Sequence, residues 1–386
     1  MRRGRGREND LRHLRLALRL AARGEGQTSP NPMVGAVLVR EGRVVGRGHH
    51  TRAGAPHAEV VALEQAGDRA RGARLYVNLE PCCHFGRTPP CADALIAAGV
   101  REVVACMRDP DPRVNGAGFR ALRAAGIAVR VGGLEAEARR LNERFLRYAT
   151  AGVPFVTLKA GMSLDGRIAT RDGESRWITS PRARAEAHRL RERHDAVLVG
   201  VNTVLADDPL LSARPRAAGR RGKPPEQGRG PLRVVLDARL RTPTDARLLV
   251  DDGAAGAMIL TLPGASPQRR RRLERAGALV VEIPGRDGRV DLRRAVADLG
   301  RRGVTSVLVE GGSEVLGSAL DDRVGDRLVL FVAGRILGGR RALPVFGGRG
   351  AGRLREAVRL GRMSVRPIGE DFVVEGTIEF PRRRGR

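Results

Sequence analysis

Lysine is almost missing from this arginine-rich sequence, although the chain has a net charge of +28. Of its 71 basic residues only Lys159 and Lys223 are lysines. A surface that binds nucleic acid has no reason to exclude lysine, because either residue neutralises a phosphate. The arginines are spread over the whole chain, and no aromatic residues are interleaved with them as base stacking would require. We therefore expect no nucleic-acid partner and attribute the arginine excess to GC-rich codons.

Long apolar runs and abundant cysteines are missing as well. No segment approaches the roughly 18 to 20 apolar residues of a membrane-spanning helix, and the first residues lack the apolar stretch of a secretory signal. Four cysteines in 386 residues are too few for a disulfide framework. Cys106 ends an apolar segment and is expected to be an inert core residue, whereas the other three crowd into ten residues. We expect a cytoplasmic protein with no membrane partner.

The pattern along the chain is typical of two α/β domains. A length of 386 residues exceeds one ordinary domain, and strand-like and helix-like segments alternate. Strands are predicted at residues 33–39, 44–49, 73–79, 102–107, 127–131, 155–160, 196–199, 233–236, 257–261, 279–283, 306–309 and 327–332. Helices are predicted around residues 11–21, 58–66, 91–98, 119–125 and, as a charged connection, 134–148. The predicted domains cover residues 1–150 and 151–386.

One histidine, one glutamate and two cysteines have a spacing typical of a catalytic zinc site. Glu59 follows His57 by two residues, and Cys82 and Cys91 each follow a proline. Zinc binds nitrogen and thiolate ligands, and a catalytic site has three protein ligands with the fourth position open. Zinc deaminases have the pattern H-x-E followed by P-C-x-x-C. This sequence departs from that pattern, because eight residues separate its two cysteines.

The residues around these cysteines have several possible roles. By spacing alone, Cys83 and His84 remain open as competing metal ligands. A substrate with a ribose phosphate needs hydrogen-bond donors beside its pocket, and His84, Arg87 and Thr88 could supply them. The amide of Asn31 could bind the edge of a pyrimidine. The alternative for each polar residue is that it only satisfies hydrogen bonds within its own loop.

A glycine turn in the second half separates a predicted strand from a predicted apolar helix. The strand at residues 304–309 leads into Glu310-Gly311-Gly312-Ser313-Glu314, and the helix follows from Val315. Glycines at such a place let backbone N–H groups approach a phosphate, with the positive end of the helix dipole behind them. The turn lacks the pattern G-x-G-x-x-G, so an ordinary tight turn remains an equal alternative.

Together these motifs resemble the bifunctional deaminase–reductase family of riboflavin biosynthesis. Matching segments of the first half are residues 29–37, 54–59 and 80–91, the last with the family's expanded loop between its cysteines. Matching segments of the second half are residues 159–167, 175–180, 200–209 and 309–312. The resemblance covers nearly the whole chain, except residues 214–230 and the basic termini.

The resemblance implies a cytidine-deaminase-like α/β/α zinc domain followed by a dihydrofolate-reductase-like α/β domain. It implies that His57, Cys82 and Cys91 bind Zn²⁺, that Glu59 is the general acid and base, and that Cys83 is only a neighbour. NADPH contacts are implied at Gly161, Trp177, Thr203, Asp207, Gly312, Ser313, Glu314, Val315, Leu316, Gly317 and Ser318. Substrate contacts are implied at Ser175, Arg191, Leu211, Arg214 and Glu310. The alternatives are a core anchor for Trp177 and a solvated side chain for either arginine.

The implied function is a pair of consecutive reactions. The first is hydrolytic deamination of 2,5-diamino-6-ribosylamino-4(3H)-pyrimidinone 5′-phosphate. The second is NADPH-dependent reduction of the ribosyl group of 5-amino-6-(5-phosphoribosylamino)uracil to ribityl. Small pyrimidine ribose-phosphates are thus the expected partners, and a homo-oligomer, a dimer or a tetramer, is expected.

Two alternatives come from other classes of protein. One is a zinc deaminase that edits nucleic acid, which would not need a second α/β domain with a glycine turn. The other is a deaminase whose second domain is degenerate and serves only in oligomerisation. Binding of NADPH separates the second alternative from a working reductase.

Overall fold

The computed structural model describes residues 2–86, 89–213, 230–250 and 256–381. The chain divides into two compact units, residues 1–152 and 153–386. The division follows Gly152, which ends a helix in the left-handed conformation (φ 66°). No helix in the described part is long and apolar enough to cross a membrane.

The first unit contains one five-stranded sheet, in the order β2-β1-β3-β4-β5. Its strands are β1 (Gly35–Arg40), β2 (Arg43–His49), β3 (Arg74–Val77), β4 (Glu102–Ala105) and β5 (Ala128–Val131). Its helices are α1 (Arg2–Ala21), α2 (Ala58–Ala66), α3 (Cys91–Ala97), α4 (Ala117–Ala124), α5 (Glu135–Leu141) and α6 (Glu143–Ala151), with 3-10 turns at Ala22–Gly24 and Gly67–Ala70. β1 is antiparallel to β2 and β3, whereas β3, β4 and β5 are parallel.

Alternating residues of β1 pack into two separate cores. Ala36 and Leu38 lie in a core with side chains of α2, α3 and α4. Val37 and Val39 lie in the other core, with side chains of α1 and α5. Because successive side chains of a strand point to opposite faces, a sheet covered on both faces needs apolar residues at every position. The predicted α/β/α arrangement is confirmed.

The start of α2 holds the first part of the zinc motif. A Cβ on Gly48 of β2 would lie 2.1 Å from the carbonyl oxygen of Ala58, so only glycine lets the helix approach the strand this closely. His57 is the N-cap residue, with extended backbone (φ −72°, ψ 160°). Glu59 lies in the first helical turn and is buried. The two functional side chains therefore leave the chain at a helix start that is fixed against the sheet.

The prediction of one continuous helix at residues 134–148 is wrong, because the structure interrupts it between α5 and α6. Asn142 occupies the break and is buried. Its Oδ1 accepts a hydrogen bond from the backbone N–H of Met33 (2.8 Å), and its Nδ2 donates to the Met33 carbonyl (3.0 Å). Asparagine amides compete with the helix for backbone partners. A contact 109 residues away in sequence thus decides where this helix breaks.

The second unit contains a nine-stranded sheet, in the order β11-β10-β9-β8-β14-β6-β15-β18-β17. The strands of the second unit, in this sheet and outside it, are β6 (Phe155–Ser163), β7 (Arg167–Ala169), β8 (Ala196–Gly200), β9 (Leu232–Leu236), β10 (Ala257–Thr261), β11 (Ala278–Glu282), β12 (Gly285–Arg286), β13 (Arg289–Val290), β14 (Ser306–Val309), β15 (Arg327–Ala333), β16 (Leu343–Pro344), β17 (Arg359–Ile368) and β18 (Asp371–Glu379). Its helices are α7 (Pro181–Glu192), α8 (Val201–Asp207), α9 (Arg247–Val250), α10 (Pro267–Arg275), α11 (Leu292–Arg301) and α12 (Ser313–Asp321), with a 3-10 turn at Leu354–Glu356.

Seven neighbouring strands of this sheet, β11, β10, β9, β8, β14, β6 and β15, are parallel to one another. β18 pairs antiparallel with β15, and β17 pairs antiparallel with β18. α11 and α12 pack on one face and α7 and α10 on the other. The carboxyl ends of parallel strands meet at one edge of a sheet, where ligands bind in such folds. The segments after β8, β9 and β14 therefore come together at this edge.

Candidate active sites

A histidine and two cysteines meet in the first unit. The ligand atoms of His57, Cys82 and Cys91 all lie within 4.8 Å of one another. His57 Nδ1 is 3.2 Å from Cys91 Sγ and 3.5 Å from Cys82 Sγ. Ligand atoms around one tetrahedral zinc ion lie about 3.5 Å apart, given bonds of about 2.0 to 2.3 Å. The donor set and its spacing therefore fit a catalytic zinc with one open position.

The electrostatics of this group favour a metal-binding thiolate. The pKa of Cys82 is lowered to about 4, first by a hydrogen bond from Cys91 and then by one from His57. The same hydrogen bond to Cys82 and burial raise the pKa of Cys91, so the pair shares its proton. The pKa of His57 is raised, mainly by Cys82. A zinc ion would displace these shared protons and ionise both thiols.

Glu59 lies beside this group without belonging to it. Its side chain is 2% exposed, and its Oε2 is buried with no hydrogen-bond partner among the described residues. Burial, followed by the charge of Cys82, raises its pKa to about 7. A carboxyl group with a pKa near neutrality can both accept and donate a proton. The unpartnered oxygen is thus suited to a proton of a substrate or water.

The other residues predicted in the zinc loop have different positions. Cys83 is half-buried, and its charged neighbours are Glu80 and Arg120; neither it nor His84 belongs to the metal-binding group. His84 lies near Asp111. The two other predicted substrate contacts of this loop, Arg87 and Thr88, lie outside the described residues.

Glu80 fixes the first cysteine from the other side of the loop. It is buried, and its two oxygens accept hydrogen bonds from the backbone N–H groups of Asp109 (3.2 Å), Gly116 (3.0 Å) and Phe119 (3.1 Å). One carboxylate thus ties the Glu-Pro-Cys segment to the start of α4. The role is structural, and it places Cys82 two residues further on.

Asn31 reaches the site through a second histidine. Its Nδ2 lies 3.1 Å from His50 Nε2, and the His50 ring lies 5.2 Å from the ring of His57. His50 Nδ1 is 3.2 Å from the carbonyl oxygen of Pro56. Because a carbonyl only accepts, His50 Nδ1 carries the proton and Nε2 accepts from the Asn31 amide. This orientation leaves Asn31 Oδ1 as an acceptor.

In the second unit, three charged side chains meet at the ligand-binding edge of the sheet. Glu310, at the end of β14, accepts two hydrogen bonds from Arg191 of α7 (2.7 and 2.8 Å) and one from Lys159 of β6 (3.5 Å). The Glu310 side chain is 5% exposed. Burial alone would raise its pKa, but the charges of Arg191 and Lys159 outweigh burial and lower it. Glu310 therefore stays ionised.

The glycine turn after β14 has free space beside it. Gly311 has φ 111°, and a Cβ there would meet no atom within 4 Å. Gly312 is the N-cap of α12, and a Cβ on it would lie 3.3 Å from Thr203 Oγ1 of α8. Ser313 Oγ is buried with no hydrogen-bond partner in the described part of the chain. Open space, an unpartnered hydroxyl and a helix N-terminus fit a cofactor phosphate.

The remaining predicted contacts of the reductase are partly brought together. Ser175 Oγ donates to Asp207 Oδ1 (3.1 Å), and Arg176 donates to the Asp207 carbonyl. Trp177 is 61% exposed, with the guanidinium of Arg184 4.4 Å from its ring centroid. The core-anchor alternative for Trp177 is therefore wrong.

Other predicted positions are less accessible or not described. Gly161 lies in β6, facing Thr179. Leu211, Leu316 and Gly317 are buried, whereas Glu314, Val315 and Ser318 are not. Arg214 lies outside the described residues.

Two family models match the chain, one in each unit. Residues 7–107 match the cytidine and deoxycytidylate deaminase zinc-binding region, and residues 154–374 match the RibD C-terminal domain. The riboflavin biosynthesis protein RibD of Aquifex aeolicus is 43% identical over 95% of this chain and 98% of its own. That of Escherichia coli is 41% identical over 94% and 97%. The chain belongs to the RibD family.

Solved structures of RibD proteins agree with this assignment. RibD of Acinetobacter baumannii aligns with a TM-score of 0.86 at 36% identity, covering 97% of this chain and 99% of its own. A diaminohydroxyphosphoribosylaminopyrimidine deaminase/5-amino-6-(5-phosphoribosylamino)uracil reductase from Thermotoga maritima aligns with a TM-score of 0.81 at 35% identity, with the same coverage. The predicted family and fold class are confirmed.

As a RibD protein, the chain is a bifunctional enzyme of riboflavin biosynthesis, with a deaminase and a reductase activity. Zinc and NADPH are its cofactors, and its substrates are small molecules. Both predicted activities are confirmed at this level. The family matches cover both units. They therefore support neither of the two alternatives, a nucleic-acid editor or a deaminase with a degenerate second domain.

Sequence reasoning missed two residues that contact the predicted site residues. Lys159 contacts buried Glu310. The sequence feature that could have indicated Lys159 is that it is one of only two lysines beside 69 arginines. His50 contacts both Asn31 and Pro56, and no spacing pattern distinguished it. Only the return of β2 alongside α2 reveals its position.

Proposed function

We propose that the first unit deaminates 2,5-diamino-6-ribosylamino-4(3H)-pyrimidinone 5′-phosphate. We propose that the second unit then reduces the ribosyl group of 5-amino-6-(5-phosphoribosylamino)uracil to ribityl with NADPH. The observation that carries the proposal is the cluster of His57, Cys82 and Cys91 beside buried Glu59, in a chain that also has an open glycine turn. The name of the Thermotoga maritima relative, 35% identical, supports the choice of substrates.

Glu59 is proposed as the proton carrier of the deaminase. Zinc held by His57, Cys82 and Cys91 would supply a Lewis acid that activates the attacking water. Glu59 takes a proton from that water and delivers it to the leaving amine. Its pKa of about 7 suits both transfers, and its burial keeps bulk water from competing for the proton.

Asn31 is proposed to orient the pyrimidine, with His50 as its positioning residue. The hydrogen bond from Asn31 Nδ2 to His50 leaves Asn31 Oδ1 directed to accept from a ring or exocyclic N–H. Burial lowers the pKa of His50, so the ring stays neutral and keeps its acceptor nitrogen. His84, Arg87 and Thr88 are proposed as contacts for the ribose phosphate.

The reductase is proposed to hold its substrate at the charged cluster. NADPH supplies the hydride when bound, and the protein orients both reactants. Arg191 uses three of its five N–H donors on Glu310 and the Ser212 carbonyl, which leaves two for a substrate phosphate. Ionised Glu310 can accept hydrogen bonds from ribose hydroxyls. Ser175, Leu211 and Arg214 are proposed as further substrate contacts.

The remaining proposed residues belong to the NADPH site. The backbone N–H groups from Gly312 to Glu314 at the start of α12 could bind a phosphate, and the contacts proposed from Val315 to Ser318 lie further along the same helix. Thr203 of α8 adjoins the glycine turn, and Asp207 is the last residue of α8. Gly161 and exposed Trp177 are proposed to lie along the cofactor.

A coupled assay tests the function. Purified, zinc-loaded chain is given the diaminopyrimidine substrate with and without NADPH. We expect ammonia release in both cases, and NADPH oxidation with formation of the ribityl product only when NADPH is present. Absence of ammonia release would contradict the deaminase, and ammonia release without NADPH oxidation would contradict the reductase.

We also propose a cytoplasmic location and a homo-oligomer of two or four chains. The four cysteines are free, which is typical of compartments where thiols are kept reduced. The edge strand β17 exposes Met363 and Val365, which supports pairing with a second copy. Light scattering after size-exclusion chromatography measures the oligomer; a monomer at micromolar concentration would contradict it.

A further inference from the structure

Segment 175–180 lies between β7 and α7 and carries two of the proposed reductase contacts, Ser175 and Trp177. All six of its residues are described, and they form turns and bends with no helix or strand. A segment of this kind takes its position from the scaffold that anchors it. One anchor is Asp207, which accepts a hydrogen bond from Ser175 at the first end (3.1 Å). The placing of both contacts therefore also depends on what holds the other end.

The other end is held by Asp371, the first residue of β18. Asp371 is 3% exposed, and its Oδ2 accepts a hydrogen bond from the backbone N–H of Ser180 (2.7 Å). Ser180 is the N-cap of α7, and its Oγ accepts from the N–H of Ala183 (3.3 Å). In a capping box, a glutamate or glutamine at this third helical position accepts from the N–H of the cap residue. Alanine cannot do so, and Asp371 supplies the missing half of the box from 191 residues away.

The turn between β17 and β18 packs on the same end of α7. Gly369 of this turn has φ 68°, and a Cβ there would lie 3.0 Å from Cδ of Arg182. Val373 of β18 belongs to the same core as Ala183 of α7. Because the hydrogen bond, the turn and the core contacts coincide, Asp371 is a fixed anchor and not a chance contact of a mobile side chain.

Arg184 extends this anchoring to the indole of Trp177. It lies one turn into α7, donates to the Thr179 carbonyl (2.6 Å), and places its guanidinium 4.4 Å from the centroid of the Trp177 ring. A guanidinium over an aromatic face is attracted to it. The contacts thus run without a gap from Asp371 through Ser180 and the start of α7 to the exposed indole.

We propose that Asp371 is a positioning residue of the reductase, which holds segment 175–180 so that Ser175 and Trp177 are already in place when substrate and NADPH bind. Because Asp371 is buried, it acts through Ser180 and α7 and not by contact with either reactant. Groups that are ordered before binding cost less free energy to use. The hairpin β17–β18 is thereby part of the reductase. The proposal rests on the proposed roles of Ser175 and Trp177.

Asp371→Ala tests the proposal in the full-length protein, with Asp371→Asn as the conservative variant. Loss of the acceptor should raise the Kd of NADPH, measured by calorimetry, up to about tenfold, because binding must then order Trp177. The kcat/KM of reduction should fall roughly ten- to a hundredfold, the size expected for reacting groups that are slightly misplaced. Asparagine keeps an oxygen that can accept from Ser180, so Asp371→Asn should bring both values to within about threefold of the unmodified protein.

Fluorescence gives a readout that is independent of activity, because Trp177 is the only tryptophan. Asp371→Ala should increase the nanosecond mobility of Trp177 in anisotropy decay. A purely structural role would lower the unfolding temperature and leave this mobility unchanged in the folded protein. Circular dichroism first establishes that the variant is folded. Asp371→Ser replaces it if alanine is not tolerated, since the serine hydroxyl is polar but shorter than the carboxylate.

Glu370→Ala is the matched control, because Glu370 is the neighbouring carboxylate and is exposed. It should change neither the Kd of NADPH nor the mobility of Trp177. Ammonia release should be normal in every variant, since the deaminase residues belong to the first unit.

A folded Asp371→Ala protein with unchanged Trp177 mobility, or with normal NADPH binding and normal kcat/KM of reduction, would overturn the positioning role alone. If the unmodified protein did not oxidise NADPH with the deaminated substrate, the proposed reductase function would fail, and the positioning role with it. The two failures are therefore distinguishable.

Discussion

Cys82 and Cys83 are adjacent in sequence, yet they have different surroundings. Cys82 shares hydrogen bonds with His57 and Cys91, whereas Cys83 has Glu80 and Arg120 as its charged neighbours. Burial raises the pKa of Cys83, with the negative charge of Glu80 adding to the effect, so the thiol is kept protonated. Geometry separates the two cysteines as well, because only Cys82 belongs with His57 and Cys91 to the group whose ligand atoms lie within 4.8 Å of one another.

Cys83→Ser is therefore expected to leave about one zinc per chain and normal deamination. Cys82→Ser is the matched variant one residue away and should lose most of the metal. Zinc content by atomic absorption checks both. Loss of zinc from the Cys83 variant would contradict the ligand assignment.

Glu59→Gln removes the proton carrier and keeps the shape of the side chain. The variant should retain zinc, because Glu59 lies outside the metal-binding group. Deamination should fall roughly a hundred- to ten-thousand-fold, the usual contribution of general acid–base catalysis. Reduction should be unchanged when the deaminated intermediate is supplied directly, and near-normal deamination would rule out the proposed role.

At the scale of elements, the break between α5 and α6 links the end of the first unit to its site. Asn142 binds both backbone polar groups of Met33, and Asn78 binds the neighbouring N–H of Gly35 (2.8 Å). These two amides hold the segment that leads from Asn31 into β1. The position of a proposed substrate contact thus depends on a helix more than a hundred residues later.

Asn142→Ala is expected to destabilise the protein by about 1 to 3 kcal/mol, because it leaves the part-buried backbone N–H of Met33 without its partner, while the Met33 carbonyl keeps a hydrogen bond from Asn78. Thermal unfolding of the full chain measures this loss. Deaminase activity should fall more than zinc content, since Asn31 moves and the metal ligands do not. Arg140→Ala, on the exposed surface of α5, is the control and should change stability by less than about 0.5 kcal/mol. Equal changes of stability in the two variants would contradict the proposal that Asn142 holds the segment that leads from Asn31 into β1.

At the scale of the whole molecule, each unit has its own sheet, its own two cores and its own proposed site. Residues 1–152 should therefore fold alone, bind zinc and deaminate. Residues 153–386 should bind NADPH and reduce the deaminated product. Circular dichroism first establishes that each fragment is folded, and the two separate assays follow. A folded second fragment that does not bind NADPH would contradict the division of labour.

Asp207→Ala in the intact chain is a complementary test. Asp207 lies in α8 and accepts a hydrogen bond from Ser175, and both residues belong to the second unit. The substitution should impair reduction and leave ammonia release unchanged. Loss of both activities would indicate that the units do not work independently.

The sequence by itself determined the local features of this protein. The alternation of apolar segments predicted α2 at its observed bounds and most strands of both sheets, because burial on both faces leaves continuous apolar runs. It did not predict β17 and β18, since β17 is a largely exposed edge strand with few buried residues. His-x-Glu with two later Pro-Cys pairs was sufficient to propose the zinc group, because few other arrangements use these residue types.

Only the tertiary structure decided which neighbours complete each site. Spacing could not separate Cys82 from Cys83, since side-chain direction depends on how the loop is held by Glu80. Nor could it join Lys159, Arg191 and Glu310, which lie on three different elements and meet because β6, β14 and α7 pack at one edge. Charge recognition depends on distance in space, and in this arginine-rich chain composition gives no indication of distance.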